Sequence, residues 1–153
     1  MLVGCGYKSA SYYSNNAIGQ SVFADVEISL SDPQSGYILV DAVREAVVSK
    51  FANHLAPRES AETTMKISSG RYNFSSIQKD NEGFSVMYRC TVNLTVFVSN
   101  DKLNNKRFTV SGTHDFSVEP TAVLSDSVRI SAAREASLKA LDVLISNIVV
   151  MGR

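Results

Sequence analysis

The chain has 153 residues with 15 basic and 15 acidic side chains, so its formal net charge is zero. That length supports one domain with a real core, and the balanced charge argues against a dedicated nucleic-acid binder. Apolar residues make up 44% of the chain, ordinary for a globular protein, and no apolar run reaches the ~18–20 residues of a membrane-spanning helix.

In chain order, the first feature is Leu2-Val3-Gly4-Cys5. Leu, a β-branched residue, Gly and Cys form the lipobox pattern of a bacterial lipoprotein. The small Gly4 suits a cleaved bond just before Cys5, whose sulfur and new amino group would carry acyl chains. Cys5 is therefore the expected lipid attachment site, and residues 1–4 read as a signal-peptide remnant. The charged n-region and most of the apolar h-region are not among them. Residues 5–20, rich in Ser, Asn and Tyr without a period, read as the lipidated N-terminus and a tether. Residues 21–153 read as a single α+β domain.

Residues 21–30 alternate, with Val22, Ala24, Val26, Ile28 and Leu30 on one side and Asp25, Glu27 and Ser29 on the other. That is a half-buried strand. Asp32-Pro33 and Gly36 form a turn that also begins a helix. From Gly36 to Leu55 a helical stripe of Val40, Val43, Val47, Phe51 and Leu55 is expected, ended by Pro57. Residues 63–77 are a weaker strand. Met65 and Ile67 share a face, and a bulge near Gly70 is needed to return Tyr72 and Phe74 to it. Lys79 to Gly83 is a hairpin connection.

The clearest strand follows, with Phe84, Val86, Tyr88, Cys90, Val92, Leu94, Val96 and Val98 on one face. Ser85, Arg89, Thr91, Asn93 and Thr95 line the other. That polar row suits either water or a wet contact such as a barrel lumen. Phe108, Val110, Gly112, His114 and Phe116 alternate in the next strand, which Pro120 stops. Ser125 or Asp126 caps a last helix that runs to Met151, with a buried stripe of Leu138, Leu141, Leu144, Ile145, Ile148 and Val149. Ala132, Ala133, Ala136 and Ala140 permit close packing. The order β-α-β-β-β-α predicts a two-layer α+β sandwich, a four-stranded sheet with both helices on one face.

No catalytic constellation is visible, so an enzyme is not expected. The histidines are His54, at a helix end, and His114, in the core-facing phase of a strand. Asp115 adjoins His114 but points to the opposite face. HExxH, GxSxG, Walker A and paired Cys/His metal spacings do not occur, so neither metal nor cofactor is expected. Cys90 reads as a small buried hydrophobe. Residues 66–107 hold seven basic and three acidic side chains, a local +4 against −4 elsewhere. This fits an anionic partner or solvated, edge-protecting hairpins.

Taken together, the residues resemble the lipopolysaccharide-assembly lipoproteins of Gram-negative outer membranes (LptE). Cys5-Gly6-Tyr7-Lys8 is similar to that family's mature start, Ser31-Asp32-Pro33 with Gly36 to its first helical turn, and Thr91 to Val96 to its long third strand. Asp115-Phe116 through Pro120, with Ala122-Val123-Leu124 and Asp126, is similar to the approach to its last helix. The resemblance implies a lipid-anchored outer-membrane protein, facing the periplasm, that plugs the lumen of a β-barrel partner (LptD), helps it assemble and binds lipopolysaccharide in transit. It implies lipopolysaccharide contact by a basic residue of the hairpin between the second and third strands, where Lys79 stands. A second such residue precedes the last helix in the family. Ser125 stands there, and Arg129 is the nearest cation. Arg71 and Arg89, from the same basic region, complete the expected contacts. The alternative is a lipoprotein adaptor of another envelope transport or efflux complex.

Overall fold

The structure is a computed structural model that describes residues 17–27, 33–52 and 54–151. The lipobox with Cys5, the tether up to residue 16 and the Ser31-Asp32 turn lie outside the described residues. Strand β1 spans Val22–Glu27, helix α1 Pro33–Phe51, β2 Thr63–Lys79, β3 Ser85–Ser99, β4 Lys106–Ser117 and helix α2 Asp126–Met151. The four strands lie in chain order in one sheet. β1 runs parallel to β2, and the two remaining pairs are antiparallel. Both helices pack on one face of the sheet and on each other, as the alternating strands and amphipathic helices require.

Alternation explains each strand. In β3, Cys90, Val92, Leu94, Val96 and Val98 are fully buried, while Arg89, Asn93 and Phe97 are exposed. The bulge expected near Gly70 is present. Ser69 pairs with Leu94 and Tyr72 with Val92, so one extra residue on β2 returns Tyr72 and Phe74 to the face of Met65 and Ile67. The β2–β3 hairpin closes on Asp80, whose carboxylate accepts from the amides of Glu82 at 2.9 Å and Phe84 at 2.8 Å. Gly83 has φ +89°, a conformation that favours glycine.

Helix α2 starts where expected. Arg129 N donates to Ser125 O at 3.0 Å, and Ser125 Oγ lies 3.4 Å from Val128 N, so Ser125 is its N-cap. Leu141, Leu144 and Ile148 are fully buried, and Leu138, Ile145 and Val149 flank them. Two of the alanines sit directly against β4. A Cβ at Gly112 would collide with the carbonyl oxygen of Ala136 and lie 2.5 Å from the amide nitrogen of Ala140. Glycine on β4 opposite alanine on α2 lets the two backbones touch.

Three expectations need correction. Helix α1 ends at Phe51, not Leu55. Val22 N donates to His54 O at 2.7 Å, and Ala56 N donates to Val22 O at 2.9 Å, forming a parallel bridge from Val22 to Leu55. Open backbone groups on the edge strand capture this segment, and Ala56, preceding Pro57, is biased away from helix. Second, Ala17 and Ile18, expected within the tether, are buried. The side chain of Asn100 donates to Ala17 O at 3.1 Å and to Thr63 Oγ1 at 3.1 Å, and Thr63 Oγ1 donates to Ile18 O. Third, the apolar phase of β3 does not stay buried to its start. Val86 and Tyr88 are half-buried, and Phe84 lies outside the strand and is 42% exposed. α2 begins level with the end of β4, so the β2–β3 hairpin projects past the helical layer.

Candidate functional site

Two surfaces are left by this architecture. The first is the projecting end of the sheet. Here β2, β3 and β4 bring Phe74, Tyr88, His114 and Phe116 onto the helix-facing side. Register places Tyr88 opposite Phe116 and Cys90 opposite both Phe74 and His114. The rings form a continuous cluster. Tyr72 meets Phe74 edge-on at 5.6 Å, Phe74 meets Phe116 edge-on at 6.1 Å, and Phe116 stacks with Tyr88 at 6.1 Å and with His114 at 6.3 Å. Such pairs contribute ~0.5–1.5 kcal/mol each beyond their buried area. A cavity of about 280 Å³ opens between His114, Phe116 and Ser117 of β4 and Ser127, Val128 and Ser131 of α2. Ile77, Phe84 and Val128, at the same end of the molecule, are exposed.

Arg129 belongs to this end. Its guanidinium lies 6.0 Å over the Phe74 ring, within cation–π range. Its Nε is buried without a hydrogen-bond partner among the described residues. Lys79 is at the same end, exposed, opposite Ser85 at the hairpin tip. It stands five residues beyond Phe74, or ~16 Å along the strand. Ser85 belongs to the outer phase of β3, so Lys79 lies on the opposite face of the sheet from the rings and Arg129.

The second surface is the outer face of the sheet, uncovered among the described residues. Cross-strand pairs there are Thr91 with Thr113, Asn93 with Ser111 and Thr95 with Thr109, and Asn73 lies opposite Thr91. The middle of this face is thus uncharged and polar, with charges at its ends. Lys66 Nζ is 2.9 Å from Glu27, and Arg107 lies 6.0 Å over Phe97. Arg89 sits on this face and grips Asp115 with two parallel hydrogen bonds, Nε–Oδ1 at 2.7 Å and Nη2–Oδ2 at 2.8 Å. That pair holds the Asp115 carboxyl below the usual carboxylate range and raises the Arg89 guanidinium. The structure therefore places Arg89 on the outer face with Lys79, opposite Arg129, and engaged with a carboxylate. Arg71 stands in the β2 bulge, and its side chain lies outside the described residues.

His114 stacks on Phe116, and its neighbour Asp115 is turned to Arg89 across the sheet, as strand alternation dictates. Burial pushes the Cys90 thiol up to about 11. No group of three His, Cys, Asp or Glu among the described residues could hold a metal, and no described helix is long and apolar enough to cross a membrane. The aromatic cluster was not singled out as a site from sequence. Each ring was visible in the core-facing phase of its strand, but their mutual contact depends on register and on where α2 begins.

No family model and no curated protein matches the chain. Solved structures do. A candidate lipoprotein from Caulobacter crescentus is similar with a TM-score of 0.54 at 9% identity, over 91% of this chain and 93% of that one. The rare lipoprotein B from Shewanella oneidensis is similar with a TM-score of 0.52 at 14% identity, over 87% of this chain and 99% of that one. At such identities the likeness establishes a shared α+β fold, spanning nearly the whole of each protein.

Proposed function

We propose that this chain is an outer-membrane lipoprotein, acylated at Cys5, that plugs and helps assemble the lipopolysaccharide-translocating β-barrel LptD and binds lipopolysaccharide on its way to the outer leaflet. The observation that carries the binding reading is the projecting end of the sheet. There half-buried rings lie under Arg129, Phe84 is exposed at the hairpin tip, and Lys79 stands exposed at the same tip on the outer face, a combination that suits an amphiphile bearing both acyl chains and phosphates. Charge-assisted hydrogen bonds from Arg and Lys suit the phosphates, and the rings suit the chains. The barrel-plug reading is supported by the outer sheet face, whose Thr, Ser and Asn side chains offer hydrogen bonds to a wet lumen. The fold shared with two proteins described as lipoproteins, together with Leu2-Val3-Gly4-Cys5, supports the anchor.

The test is co-purification of the full-length protein from outer membranes. A β-barrel partner is expected, and its absence overturns the plug. Recovery of an inner-membrane transporter in its place selects the adaptor reading. For binding, Lys79→Glu and Arg129→Glu should each weaken lipopolysaccharide binding about tenfold or more, on ~1.5–3 kcal/mol per charged hydrogen bond, with the circular dichroism spectrum unchanged. Undiminished binding by both variants removes this end of the sheet from the site.

A further inference from the structure

The two edges of the sheet are finished differently. β1 has six residues, and the bridge from Val22 to Leu55 covers part of its outer side. β4 has twelve. It pairs with β3 from Ser117 to Lys106 without a register shift, contains no proline, and meets no further strand among the described residues. A long, regular edge of open N–H and C=O groups is a template for another strand.

The helix above that edge carries a matching feature. Ala136 and Ala140 sit on Gly112 of β4. Val143 follows Ala136 by seven residues and Val150 follows by another seven, so both lie on the β4 flank of α2. They are 43% and 71% exposed. An apolar strip thus runs beside the open edge.

We propose that this edge is a self-association surface whose occupant is a second copy of the chain, with β4 pairing antiparallel to β4 about a two-fold axis at Ser111. The strand's own sequence selects that register. An axis on any residue keeps the two polar faces together, whereas an axis between residues sets polar against apolar positions. Only at Ser111 does Arg107 lie opposite Asp115 of the second copy. Thr109 then faces Thr113 on the outer side, and Phe108 faces His114 on the helix side. No like charges are opposed. Asp115 would accept from its own Arg89 and from the incoming Arg107. The pairing requires neither the acyl anchor nor the barrel.

Cysteine cross-linking in the Cys5→Ser chain tests both association and register. Ser111→Cys should give a disulfide-linked dimer under mild oxidation, because opposed Cα atoms at ~4.5–5.5 Å fall within disulfide range. Thr109→Cys alone and Thr113→Cys alone should not cross-link, since identical positions would lie ~13 Å apart. An equal mixture of the two should. Arg107→Asp should weaken dimerisation at least about fivefold with an unchanged melting temperature. A monomer by light scattering at millimolar concentration with no Ser111→Cys cross-link overturns the proposal, as does cross-linking by Thr109→Cys alone.

Discussion

Replacing Gly112 by alanine tests the close contact on which the helical layer rests. The added methyl would collide with the carbonyl of Ala136 and lie 2.5 Å from the amide nitrogen of Ala140. Both are backbone atoms in the middle of α2, so neither can rotate away. Restoring an ordinary contact of ~3.5 Å requires α2 to lift by more than about 1 Å, because the carbonyl oxygen of Ala136 lies nearer still than the amide of Ala140. A gap of that size forfeits a quarter to a half of each dispersion contact it opens. The face affected is the one that buries Ala132, Ala133, Ala136 and Ala140. Overpacking of this kind costs about 1–3 kcal/mol and sometimes more. Against it stands ~0.5–1 kcal/mol gained by replacing glycine within a strand. The net expectation is about 2 kcal/mol of destabilisation, or a urea midpoint lower by ~1 M. Equilibrium unfolding followed by circular dichroism measures it. The control is Gly83→Ala, where nothing lies within 4 Å of an added Cβ but φ is +89°. Its cost should be that of backbone strain, ~1 kcal/mol or more, and Gly83→Asn should restore part of it. If Gly112→Ala is as stable as the parent, α2 does not sit against β4 at this position.

The Arg89–Asp115 pair makes stability depend on acid. The folded-state value of Asp115 is depressed by the hydrogen bonds from Arg89, so its contribution is present above the ordinary aspartate value and is lost as pH falls through the depressed one. Arg89→Gln should flatten the fall in urea midpoint between neutral pH and the acid range, and an unchanged slope would refute the linkage. Cys90 is fully buried with its thiol pushed up to about 11, so in the Cys5→Ser chain a thiol reagent at mildly alkaline pH should react only on unfolding. Rapid reaction of the native protein would contradict the packing of β3. Asn100→Ala should cost about 1–3 kcal/mol by stranding the carbonyl of Ala17 and the amide of Leu103, which Asn100 engages at 3.1 and 2.7 Å.

Much of this fold is legible along the chain because its signals are local. The phase of β3 follows from Cys90 to Val98, the bulge from the interruption between Ile67 and Tyr72, and the start of α2 from Ser125. The end of α1 was not legible. Val47, Phe51 and Leu55 continue one helical stripe, and only a competing partner, the open edge at Val22, stops the helix at Phe51. The site divides in the same way. Lys79 and Arg129 could be named from their places in the chain, but the ring cluster under Arg129 could not. Phe74, Tyr88 and Phe116 come from three strands and meet only through the register of two ladders. Arg89 looked like a binding cation because the sequence places Asp115 twenty-six residues away, whereas pairing across β3 and β4 sets the two side by side.

By itself, then, the sequence determined the elements, their apolar faces and the two-layer α+β class, since period and capping act within a few residues. Tertiary structure decided where the layers stop. The depth at which α2 rests on Gly112, the length by which the β2–β3 hairpin outruns it, and the openness of the β4 edge all depend on contacts between distant segments, and no local pattern encodes them. These contacts leave part of an apolar strand face as a half-buried aromatic cluster under Arg129, and they leave one edge of the sheet free to pair.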